Sequence, residues 1–221
     1  MGPRPPDDPL RRMASVVGHE LRNPLAVIGN SAYFLKAKLS GGAGLDPKVA
    51  KHLAIIESEI RRADGLIADI LVYSRPLELA TAPGSVSKLA EEVLLARPLP
   101  KGVKLVKKLG GKARVQADAE CLKAALGRIL DNAVEAMPEG GTLRVASFEE
   151  PGWSGLEISD SGPGIPAEAL ADIFQPFYTT KPRGLGLGLA LARKIVEAHQ
   201  GRILAESPAG GGAVFKILLP D

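Results

Sequence analysis

The chain has 221 residues, 45% of them hydrophobic and only 4% aromatic, with a formal net charge of +3, which is enough apolar material for one ordinary core or two small ones. Its Lys and Arg residues are spread along the chain, without the clustered basic runs and interleaved aromatics of a nucleic-acid surface. Cys121 is the single cysteine, which excludes an intramolecular disulfide and any Cys/His spacing of zinc-site type. No apolar run reaches the ~18 residues of a membrane span, and the opening "MGPRPPDDPL" has the wrong composition for a signal peptide. The expectation is a cytoplasmic chain with no membrane span and no nucleic-acid partner.

Residues 1–9 read as a flexible lead, and residues 10–74 as a helical hairpin. From Leu21 the apolar positions are Leu21, Leu25, Ile28, Ala32, Leu35 and Leu39, in steps of four, three, four, three and four, which is a heptad seam. "SGGAGLDP" interrupts it, and the rhythm returns at Val49, Leu53, Ile56, Ile60, Ala63, Ile67 and Ile70. A lone hairpin cannot enclose a core, so the economical arrangement is a homodimer in which two hairpins form a four-helix bundle. The alternative is that the hairpin packs on the rest of its own chain.

Residues 75–84, rich in proline and glycine around Pro76 and Pro83, read as a linker or hinge, and 85–221 as a second domain. There "VKLVKKL", "KARVQAD", "GTLRVASFE", "GLEISDSG", "RILAES" and "AVFKILL" are strand candidates, with helices over "ECLKAALGRILDNAVEAM" and "LALARKIVEAHQG". No βαβ unit repeats, so the domain reads as α+β.

Three stretches carry chemistry. In "GHELRNPLAV", His19 is rotated by about 200° from the seam residue Leu21 and so faces outward. Glu20 is adjacent and Asn23 lies one turn on, on the same face. An exposed imidazole beside a carboxylate is a nucleophile with a proton acceptor, although taken alone the stretch reads first as a solvated polar helix face. Pro24 removes a backbone donor and bends the helix just past His19. His52 and His199 lack such company and are expected at the surface.

In "GLEISDSGPGIP" strand alternation sets Leu156, Ile158 and Asp160 on one face. A buried aspartate needs a donor, which an adenine amino group would supply, with Gly162 and Gly164 allowing a flat ring close to the backbone. A polar strand-end turn is the competing reading. Farther on, Gly184, Gly186 and Gly188 precede a helix whose N-terminal N–H groups attract phosphate, with Lys181 and Arg183 adding positive charge. Asn132 offers a hard carbonyl oxygen suited to Mg2+, unless it is merely exposed.

Together these stretches resemble the catalytic core of a sensor histidine kinase of two-component signalling, over nearly the whole chain from Leu10. "HELRNPL" is similar to the phosphoacceptor box, "LDNAVEAMPEGG" to the asparagine box, "DSGPGI" to a glycine box, and "FQPFYTTKPRGLGLGLAL" to the phenylalanine and second glycine boxes. "GGGAVF" is similar to the last glycine box, and "MPEGG" with "PFYTTK" resembles the nitrogen-regulation subgroup. The resemblance implies a multidomain α and α+β protein: a helical hairpin forming a dimeric four-helix bundle, followed by a two-layer α/β sandwich of the Bergerat ATPase type. It implies ATP and Mg2+ as cofactors and a response regulator receiver domain as partner. It further implies that His19 accepts the phosphoryl group, Glu20 assists proton transfer and Asn23 positions water for dephosphorylating the partner. Asn132 would hold Mg2+, Asp160 would bind adenine, and a lid over Phe174 to Leu187, including Thr180, Lys181 and Leu187, would close on the phosphates.

The chain departs from the family pattern at Arg128, where another asparagine is usual, at Glu135, where many relatives carry a basic residue, and at Leu185, in place of a common threonine. A guanidinium is no metal ligand. The activity expected is autophosphorylation of His19 and transfer to an aspartate of the regulator. The alternatives are a nucleotide-binding phosphotransfer or scaffold module without effective autophosphorylation, and an ATP-driven clamp that hydrolyses ATP without stable labelling. With about ten residues before the first helix, sensing is expected from a partner or from a longer protein.

Overall fold

The computed structural model describes residues 9–39, 46–111, 114–181 and 184–221, with 9–20 and Pro24 described through their backbone. The chain divides into two compact units, Met1–Pro76 and Leu77–Asp221.

The first unit is a helical hairpin of α1 (Pro9–Leu39) and α2 (Pro47–Ser74). Helix α1 runs unbroken through Pro24, so the lost donor does not end the helix. Asp46 opens α2: its side chain accepts from the Lys48 N–H at 2.7 Å, and Pro47 takes the first turn, where a missing N–H costs nothing. The seam residues Ala32, Leu53 and Ile67 are buried between the helices, and Lys36 pairs with Glu57 at 2.9 Å. Ile28, Leu35 and Leu39 on α1 and Val49 and Ile56 on α2 remain exposed. The apolar stripe is therefore wider than one partner helix covers.

The second unit is a two-layer α/β sandwich. Its five-stranded sheet has the order β2-β4-β5-β7-β6, formed by Val103–Lys108, Gly141–Glu150, Trp153–Ser159, Val214–Pro220 and Arg202–Glu206 respectively. The β2/β4 pair is parallel and the other pairs are antiparallel. Leu143 and Val145, Leu156 and Ile158, and Phe215, Ile217 and Leu219 turn into a core shared with α3 (Val86–Ala96), α4 (Ala119–Glu135) and α5 (Gly188–Ala198). A separate two-stranded ribbon pairs β1 (Ala82–Gly84) with β3 (Val115–Ala117).

Two expectations need correction. The second half of the segment read as a linker is built into this unit: Pro83 is paired with Gln116 in the ribbon, and the Ala80 N–H donates to Asp118 Oδ2 at 3.0 Å. Pro83 is accommodated because a three-residue ribbon strand has few ladder positions that need a donor. His199, expected at the surface, is buried at 5% exposure. It sits at the C-cap of α5, where Nε2 accepts from the Asp118 N–H at 3.0 Å and Nδ1 lies 2.8 Å from the Ile195 carbonyl. That pairing assigns the proton to Nδ1 and fastens the end of α5 to the start of α4. Helix α3 was not read from the sequence. Ser85 caps it, and Val86, Leu89, Ala90 and Val93 form its buried stripe. His52 is exposed, as expected.

Candidate active site

Strand β5 delivers Asp160 to the edge of the core. Leu156 and Ile158 point inward, and Asp160, two residues on, is only 9% exposed. A carboxylate so placed needs donors, and the backbone supplies two, both to Oδ1: the Gly162 N–H at 2.9 Å and the Ala213 N–H at 3.3 Å. No hydrogen bond to Oδ2 occurs among the described residues. Burial pushes the carboxyl above its ordinary value, and the two N–H groups pull it back.

Two loops are stitched together beside this carboxylate. The Gly212 N–H donates to the Gly162 carbonyl at 2.7 Å, and Ser207 Oγ accepts from the Ile165 N–H at 2.8 Å while donating to the Gly212 carbonyl at 3.0 Å. Gly162 has no room for a side chain, since a Cβ there would lie 2.9 Å from the Ala136 carbonyl oxygen. The loop that carries Gly162 and Gly164 therefore rests directly on the end of α4. Ser161 Oγ adds a bond from the Thr142 N–H at 2.9 Å. Ser207 was missed by sequence reasoning, and no spacing signal marks it, because its partner Ile165 is 42 residues away.

The last turn of α4 also meets the segment 174–187. Lys181 Nζ donates to Asn132 Oδ1 at 2.7 Å and to the Glu135 carboxylate. Two residues singled out from sequence, Asn132 and Lys181, are thus in contact, with Glu135 as a third member. Arg128, one turn back on α4, is partly buried and offers donors only.

The segment itself is anchored at one end by Phe174, edge-on to Phe215 with ring centroids 6.3 Å apart. Phe177 adopts φ 67 and is exposed, and its N–H donates to the Gly186 carbonyl at 3.0 Å. Gly186 has φ +71 and lies so close to the Phe177 and Tyr178 backbone that a Cβ would come within 2.6 Å of the Phe177 carbonyl carbon, so only glycine fits. Thr179 Oγ1 accepts from the Lys181 N–H at 3.1 Å, and the Gly184 N–H donates to the Lys181 carbonyl at 3.1 Å. Thr180 is exposed, and Arg183 lies outside the described residues.

The segment ends at Leu187, buried at the N-cap position of α5, which begins at Gly188. Helices α2, α3 and α4 are capped by the side chains of Asp46, Ser85 and Asp118. Helix α5 has no side-chain cap and no acidic residue in its first turn. Its leading N–H groups suit an anion. In the hairpin, His19 and Glu20 lie within α1 with their side chains outside the described residues, and Asn23 is exposed.

Residues 10–78 match the His Kinase A (phospho-acceptor) domain, and residues 117–221 match the Histidine kinase-, DNA gyrase B-, and HSP90-like ATPase family. The chain is 35% identical to the signal transduction histidine-protein kinase AtoS of Escherichia coli over 96% of its own length and 35% of that protein. It belongs to the histidine kinases. Full-length ShkA in complex with AMPPNP superimposes with a TM-score of 0.79 at 25% identity, covering 95% of this chain and 46% of that one. The histidine kinase ThkA in complex with response regulator protein TrrA gives 0.68 at 30% identity, covering 96% and 61%. The chain spans 35% of AtoS and 48% of sporulation kinase C, so it corresponds to the catalytic core of longer kinases. No helix among the described residues is long and apolar enough to cross a membrane.

Proposed function

We propose that this histidine kinase core binds ATP in the second unit, phosphorylates His19 and passes the phosphoryl group to an aspartate of a response regulator. The observation that carries the nucleotide reading is the end of α4, where the Asp160 loop and the Lys181 segment both meet one helix turn. Asp160 Oδ2 is left as an acceptor for an adenine amino group beside Gly162 and Gly164. Lys181, Gly186 and the uncapped amides from Leu187 and Gly188 onward present donors to phosphate oxygens, and Thr180, Arg183 and Gly184 flank them in the chain.

Mg2+, when bound, neutralises triphosphate charge. Asn132 would hold it through Oδ1, together with phosphate oxygens and water. The fit rests on Lys181, whose ammonium already sets a cation 2.7 Å from that oxygen. In the transfer, a neutral His19 ring nitrogen attacks the γ-phosphorus. The N–P bond forms, the bond to the bridging oxygen breaks with its electron pair leaving on ADP, and the ring proton passes to Glu20. The resulting phosphohistidine is a donor to a carboxylate, and Asn23, exposed one turn on, would orient water to hydrolyse the phosphorylated partner. ThkA bound to TrrA supports a receiver domain as that partner. The exposed stripe through Ile28, Leu35 and Ile56 supports a homodimer in which two hairpins share a four-helix core.

Arg128 favours one second reading, a nucleotide-binding module that does not label itself efficiently. Incubation with Mg2+ and ATP labelled at the γ-phosphorus decides between them. The wild type takes up acid-labile, alkali-stable label and hands it to a receiver domain, and His19→Gln takes up none. Bound ATP without label in the wild type establishes the second reading.

A further inference from the structure

Glu135 is the unusual member of the α4 cluster, because a carboxylate beside a triphosphate site repels the ligand that the site is built to hold. Its partner resolves the difficulty. The Glu135 carboxylate takes the Lys181 ammonium, which at the same time donates to Asn132 Oδ1 at 2.7 Å. The contact joins residues 46 and 49 positions apart in the chain, so it tethers the segment 174–187 to the helix that carries the metal ligand. Both side chains are substantially exposed, Lys181 at 42% and Glu135 at 59%, so the tether is weak enough for a ligand to break.

We propose that Glu135 is a positioning residue which holds Lys181 on Asn132 while no nucleotide is bound, so that Lys181 and the metal ion compete for the same amide oxygen. This inference rests on the nucleotide reading above. A second cation brought to Asn132 Oδ1 meets an ammonium already in contact with it, and like charges at that spacing repel. Metal that arrives with ATP therefore releases Lys181, and the nearest strong acceptors for the freed ammonium are the phosphate oxygens. ATP without metal must break the tether with its own phosphates. The positive charge reaches the site from the segment that carries Lys181, and Glu135 makes its delivery dependent on metal.

Calorimetric titration of ATP onto the wild type, Glu135→Gln, Lys181→Gln and the double variant, each with Mg2+ and with EDTA, tests this. Glu135→Gln is expected to strengthen metal-free ATP binding roughly two- to fivefold and to leave Mg2+–ATP binding within about twofold. Lys181→Gln weakens both, and the double variant matches Lys181→Gln, because Glu135 acts only through Lys181. In the nucleotide-free protein, amide hydrogen exchange over 178–181 and 184–187 is faster in Glu135→Gln than in the wild type. The inference is overturned by a Glu135→Gln protein with the wild-type ratio of the two affinities, by one that weakens Mg2+–ATP binding alone, or by unchanged exchange. A wild type that binds ATP under neither condition overturns the nucleotide reading itself and the inference with it.

Discussion

At Asp160 the two carboxylate oxygens differ: Oδ1 holds the Gly162 and Ala213 amides, and Oδ2, which takes no hydrogen bond among the described residues, is the oxygen proposed to accept from adenine. Asp160→Asn keeps an oxygen for the backbone but puts an NH2 where an adenine amino group would donate. ATP affinity is therefore expected to fall at least tenfold while the circular dichroism spectrum is unchanged, with the loss consistent with a charge-assisted hydrogen bond of about 1.5–3 kcal/mol. The pH dependence has a definite sign. Burial raises the folded-state carboxyl above its unfolded value, so the native state binds the proton more tightly, and stability present at low pH is lost as pH rises through the folded value. Melting temperatures of the nucleotide-free wild type and Asp160→Asn measured from acid to neutral pH should diverge in favour of the variant. This residue was legible in sequence because strand alternation alone places it inward. The Lys181 contacts with Asn132 and Glu135 were not, because nothing local in the chain specifies a pairing across 49 and 46 positions.

Helix α4 is the element on which the second unit turns. Asp118 caps it, accepting from the Cys121 N–H at 3.0 Å and from the Ala80 N–H at 3.0 Å, while its own N–H is taken by buried His199. The backbone bond from Cys121, then that from Ala80, hold its carboxyl below the ordinary value. The contribution is present at neutral pH and lost as pH falls through the lowered folded value, the opposite slope to Asp160. Asp118→Ala should cost about 1 kcal/mol at neutral pH, roughly 2–4 °C in Tm, with the difference shrinking in acid. Equal destabilisation at all pH values would show that packing, not the carboxylate, is the cause. The long elements were readable because their aliphatic spacing is regular. Helix α3 has an equally clear stripe at Val86, Leu89, Ala90 and Val93, but Pro83 and Gly84 immediately before its Ser85 cap read as the end of a linker. The ribbon strand Ala82–Gly84 owes its form to β3 and not to any propensity of its own. His199 is buried by a contact 81 residues away, outside the reach of any local pattern.

For the molecule as a whole, the hairpin leaves apolar surface that its two helices do not cover between them, with Leu35 at 49% and Ile56 at 39% exposure. Leu35→Lys disturbs little within the single hairpin but sets two like charges into a shared core. Sedimentation equilibrium should report a dimer for the wild type and a monomer for Leu35→Lys, with the second unit still binding ATP. A variant that remains dimeric places the interface elsewhere. The central claim is that the nucleotide domain of this histidine kinase serves one residue, His19. The most direct test is to map the phosphoryl group after incubation with Mg2+ and ATP, by peptide mass spectrometry kept at alkaline pH. The account predicts one phosphate per chain, on His19, absent from Asp160→Asn. A phosphate on another residue, or none from a wild type that demonstrably binds ATP, would contradict it.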